Sequence, residues 1–136
     1  MTPVQKIALS VAGITALGIG ALILITPYPF YASYGIVLDT NPSLLSELRA
    51  PGAALTAFGA VMLAGIVRPA LRQTAVVAAL TVFLAFPAGR VLGLVVDGMP
   101  SSGILGALVL ELVIAALCLV AFRRGAGPSV SGLAAR

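Results

Sequence analysis

Residues 7–26 read IALSVAGITALGIGALILIT, an apolar run with no charged side chain. A bilayer core of about 30 Å needs about 20 helical residues at about 1.5 Å each, and the run has that length. Lys6 precedes it, as a basic residue precedes a secretory signal. The apolar part of a signal, however, spans only about 7–15 residues and ends at a small-residue cleavage site. Here PYPFY follows at residues 27–31. The run therefore reads as a retained transmembrane helix.

The composition agrees. The chain has 136 residues, 60% hydrophobic and 9% charged, with a mean hydropathy of +1.15. A soluble domain carries about 25% charged residues, enough to cover a water-facing surface. The net charge of +4 comes from eight Lys and Arg. They form no continuous basic stripe, so no nucleic-acid partner is expected. One cysteine, Cys118, leaves no intrachain disulfide, and the absence of histidine removes the usual haem, copper and zinc ligand. No metal site and no cofactor is expected, and no phosphate loop or nucleophile elbow is present.

Three more apolar runs follow the first. They cover Ala50–Val67, Thr74–Val96 with Arg90 inside, and Ile104–Phe122 with Glu111 inside. The spacing predicts spans at about 5–26, 43–67, 72–96 and 103–122. Residues 1–124 would form one four-helix transmembrane domain, and 125–136 a flexible cytoplasmic tail. Lys6, Arg68, Arg72, Arg123, Arg124 and Arg136 flank the spans on one side, while the other two connectors hold only Asp39 and Asp97. By the positive-inside rule both termini are cytoplasmic. Backbone polar groups in lipid must be satisfied within each segment, so each span is a helix. The expected fold is all-α: an up-down bundle of four transmembrane helices.

Lipid is as apolar as leucine, so close packing of small residues must hold such helices together. Small residues recur every four positions: Ala12, Ala16 and Gly20; Gly52, Thr56, Ala60 and Ala64; Thr81, Ala85, Gly89 and Gly93; and Gly103, Ala107 and Ala115, with Glu111 filling the gap in the last series. Each series is expected to be a packing stripe.

Four charges do not flank the spans. LLSELRAPGAAL, residues 44–55, places Glu47 and Arg49 at the mouth of the second helix, with Asn41-Pro42 as its start. Arg90 lies seven residues before Asp97 at the end of the third span and Glu111 seven after Ile104 at the start of the fourth, each about 10 Å in from the same side of the membrane. A charge at the bilayer centre costs about 2.5–3.5 kcal/mol even on the lenient insertion scale. Arginine can reach an interface with its long stem; Glu111 cannot. Glu111 is therefore expected to face inward and meet an arginine, Arg90 or Arg49, or to stay protonated; Glu47 and Arg49 either complete a Glu/Arg cluster in the outer half or snorkel to the headgroups. The cluster is either a ligand site or a structural lock. Pro51 and Pro87 each leave a carbonyl without its helical donor, and kinks there are expected to open the outer half. Tyr28, Tyr31 and Tyr34, with Phe30 beside them, read as an outer aromatic belt.

ELRAPGAAL at 47–55, PAGRVLGLVVDGMP at 87–100 and LVLELV at 108–113 together resemble a bacterial family of small four-helix membrane proteins, a domain of unknown function numbered 4345. The resemblance covers most of residues 5–124. It implies a multi-pass protein of the bacterial inner membrane and no established activity. From the residues, the favoured reading is a non-enzymatic binding or accessory module whose polar site holds a lipid, a small amphiphile or a partner subunit. A homo-oligomer is equally compatible. The alternatives are a proton- or ion-coupled carrier using Glu111, and an intramembrane enzyme with Glu47 and Glu111 as acid and base. The enzyme requires both carboxyl groups in one pocket.

Overall fold

The computed structural model describes residues 1–123, and the expected tail at 125–136 lies outside them. The described chain is all-helical: α1 Pro3–Ile25, α2 Pro27–Ala32, α3 Pro42–Val67, a short 3-10 turn at Pro69–Leu71, α4 Arg72–Val96 and α5 Ser102–Arg123. Four of these helices are long and apolar enough to cross a membrane. The chain is a multi-pass membrane protein.

Local chemistry sets the helix ends. At the start of α1 the Thr2 hydroxyl accepts from the Gln5 N–H at 3.3 Å, and the Gln5 side chain accepts from the Thr2 N–H at 3.0 Å. This reciprocal cap, with Pro3 in the first helical position, satisfies donors that the helix leaves unpaired. Pro27 ends α1, because the residue before a proline is pushed out of helical geometry. Asn41 caps α3 by accepting from the Ser43 N–H at 2.9 Å, with Pro42 next, as the sequence predicts. Gly98, at φ +97°, turns the chain out of α4. Pro51 and Pro87 both lie inside helices that run on past them.

The helices pack as α1 on α3, α3 on α4, α4 on α5 and α5 back on α1, with no contact between α3 and α5. α1 and α3 run antiparallel: Gly13 lies against Gly59, and Gly20 against Gly52. At the far end the Gln5 amide donates to the Ala121 carbonyl at 3.2 Å. The core holds Leu9, Met62, Ile114 and Cys118, all fully buried. The outside is apolar too, with Ile25, Val95 and Val109 exposed, as a lipid-facing surface requires.

The small-residue stripes are used unequally. On α1, Ala12, Ala16 and Gly20 are all buried. On α3 the expected series stops after Gly52 and Thr56: Ala60 is exposed, and the contact face continues through Leu55, Gly59 and Met62. A helix turns about 100° per residue, so a strict four-residue step drifts off a face that mixed steps of three and four follow. On α4, Thr81, Ala85 and Gly89 are exposed, while Ala75, Ala79, Val82 and Phe83 face the core. The expected packing stripe of the third span is thus turned away from the core.

Candidate functional site

Arg90 on α4 and Glu111 on α5 meet side by side. The Arg90 Nε–H donates to both carboxylate oxygens, at 2.9 Å to Oε2 and 3.1 Å to Oε1. The Glu111 side chain is 10% exposed and that of Arg90 25%. This is the only ion pair among the described residues. Arginine usually grips a carboxylate with a parallel pair of N–H groups. Here one nitrogen straddles both oxygens, and the two terminal amino groups of Arg90 donate to no described residue.

Glu47 and Arg49 do not join them. Both are exposed on the first turns of α3, and neither makes an ion pair among the described residues. The reason is the helix arrangement. α3 packs on α1 and α4 and does not touch α5, so Glu111 is out of its reach. The expected cluster of four charges is therefore a pair.

The pair sits in the wall of a cavity of about 710 Å³. Thr15, Ala16, Ile19 and Ile23 of α1 form one side. Phe83, Phe86 and Gly89 of α4 and Gly106, Ala107 and Leu110 of α5 form the other. Leu55 of α3 also lines it, and Glu47 and Arg49 do not. A side chain added at Gly89 or Gly106 would meet nothing within 4 Å, so these two glycines leave the cavity its width. Ala85, Phe86, Gly89, Gly106 and Leu110 are all exposed, which makes the gap between α4 and α5 a side opening.

An aromatic roof covers one end. Phe30, Tyr31 and Tyr34 line the cavity, and the Phe30 ring meets both tyrosine rings edge-on with centroids 5.2 Å apart. The roof is tied down where the Ser101 hydroxyl donates to the Tyr34 carbonyl at 2.7 Å. Gly103 lets α5 approach, since an added Cβ would stand 3.0 Å from the Tyr34 ring. Burial pushes the Tyr31 hydroxyl above its ordinary range, Arg90 pulls it back, and Tyr34 pushes it up further. It therefore keeps its proton and can donate. Of the expected belt, Tyr31 and Tyr34 turn onto the cavity, while Tyr28 is exposed and outside its lining.

Sequence reasoning missed three contributors. Thr15 is one of three hydroxyl residues in an apolar run, with Ser10 and Thr26, and carries no signal. Phe30 was set beside the tyrosines without a role. Gly106 is one small residue among many, and its use as empty space is visible only once α4 and α5 are in place.

A family model described as "Domain of unknown function (DUF4345)" matches residues 4–122. No curated protein and no solved structure matches the chain.

Proposed function

The chain belongs to the DUF4345 family, and from that premise we propose that it is a membrane-embedded binding module whose cavity holds a lipid or small amphiphile. One observation carries the reading: a cavity of about 710 Å³, mostly apolar, with the Arg90–Glu111 pair in its wall. Protein interiors are packed about as densely as organic crystals. A pair that only fixed helix register would need no empty volume beside it. Ligand sites are concave, apolar over most of their wall, about 300–1,000 Å³ in size and polar at a few points.

The flanking charges orient the site. Lys6, Arg68, Arg72 and Arg123 lie at one set of helix ends, and Asp39 and Asp97 at the other. The positive-inside rule then gives an up-down bundle with both termini cytoplasmic and the cavity in the outer half of a bacterial inner membrane. The acid–base enzyme loses its motivation, because Glu47 does not line the cavity that holds Glu111. No observation favours the carrier.

The test is to fill the cavity. The wild-type chain and Gly106→Leu are purified from membranes, and bound amphiphile is counted by mass spectrometry of the extract. The wild-type chain is expected to carry near-stoichiometric amphiphile. Gly106→Leu should lose at least about tenfold of it and still fold, since a Cβ at 106 meets no atom within 4 Å; thermal unfolding checks the fold. Equal loading of the two proteins would overturn the reading.

A further inference from the structure

Resting on that reading, the geometry points to the class of the occupant: a neutral amphiphile whose head group accepts hydrogen bonds through carbonyl oxygen. Charge decides first. Among the described residues, Arg90 and Glu111 are the only charged ones in the cavity lining, and they pair at 2.9 Å. The wall is therefore net neutral. A charged head entering it would be an uncompensated charge in a low-dielectric region, which is costly. An anion would also stand near the Glu111 carboxylate, and a cation near the Arg90 guanidinium.

Hydrogen bonding decides next. Guanidinium carries five N–H donors and no acceptor. Glu111 engages only the Nε–H, so the terminal amino groups of Arg90 remain for a ligand. Thr15, Tyr31 and Tyr34 line the same space, and their hydroxyls donate to no described residue. Both Glu111 oxygens already accept from Arg90. The carboxylate has about four lone-pair sites and takes one shared N–H, so it can still answer one or two of these donors; the site nevertheless has donors to spare. A carbonyl oxygen answers that imbalance without bringing charge. The apolar wall of Ile19, Ile23, Leu55 and Leu110 takes the chain.

The experiment compares three amphiphiles that share a lauryl chain: monolauroylglycerol, dodecyl phosphate and dodecylamine. Each competes with tritiated monolauroylglycerol for the purified wild-type chain in a non-ionic detergent. The neutral ligand is expected to bind at least about tenfold more tightly than either ion. A second measurement reverses the preference. Glu111→Gln leaves Arg90 uncompensated, so the ratio of dodecyl phosphate to monolauroylglycerol binding should rise about tenfold or more. A decylbenzoquinone arm separates the two sources of such a head, acyl ester and quinone ring; tighter binding of either supports the class and names its source. Equal or tighter binding of dodecyl phosphate or dodecylamine by the wild-type chain overturns the inference while leaving an amphiphile site intact. If no ligand binds, the binding reading itself fails, and the inference with it.

Discussion

Arg90 and Glu111 form an unusual pair, because a single nitrogen holds both carboxylate oxygens. Removing one member of a buried pair leaves the other uncompensated, and that costs more than removing both. Arg90 is 25% exposed and its long stem can carry the guanidinium toward the headgroups, so the cost is moderated. Glu111→Leu should lower unfolding stability by about 1–3 kcal/mol. Arg90→Met with Glu111→Leu should return to within about 1 kcal/mol of the parent. Denaturant unfolding in micelles, run as a double-mutant cycle, measures both. A double variant weaker than the sum of its singles would mean that the pair is a lock that no apolar contact replaces. The matched depth of the two residues was legible in the sequence, because Arg90 lies seven positions before Asp97 and Glu111 seven after Ile104, but which arginine Glu111 meets was left open. The exclusion of Glu47 and Arg49 was not. It depends on which helices touch, and depth along a helix says nothing about that.

Among the elements, α1 and α3 are joined backbone to backbone, whereas α4 and α5 stand apart beside the cavity. A Cβ at Gly59 would run into the Leu17 backbone and lie 2.8 Å from the Gly13 carbonyl oxygen. Gly59→Ala must push the two helices apart and should cost about 1–3 kcal/mol. At Gly89 the same change meets open space. Gly89→Ala should be neutral or stabilising by up to about 1 kcal/mol, since alanine is the better helix former. Thermal unfolding of the two variants in detergent separates the roles. Equal losses would show that the α4–α5 gap is packed in solution. The helices themselves were legible: unbroken apolar runs fix the spans, and Asn41-Pro42 marks a start. The use of each small residue was not. Glycine serves equally where backbones touch and where space is left, and its spacing cannot tell the two apart.

For the whole molecule, the orientation proposed from the flanking charges predicts a labelling pattern. In a Cys118→Ala background, Asp39→Cys or Asp97→Cys should react with an impermeant maleimide on intact cells. Arg68→Cys should react only after the membrane is opened. The opposite pattern would invert the topology and place the cavity in the inner half. The basis was legible, because the basic flanks and the acidic connectors separate cleanly along the chain. The side opening between α4 and α5 has a further consequence. A molecule that reaches Arg90 through that gap arrives laterally, from among the acyl tails, without crossing water. Its occupancy would then follow its mole fraction in the surrounding leaflet and not its aqueous concentration. A scarce bilayer component could be held in proportion to its abundance there, and the protein would act as a gauge of membrane make-up even for compounds almost insoluble outside it.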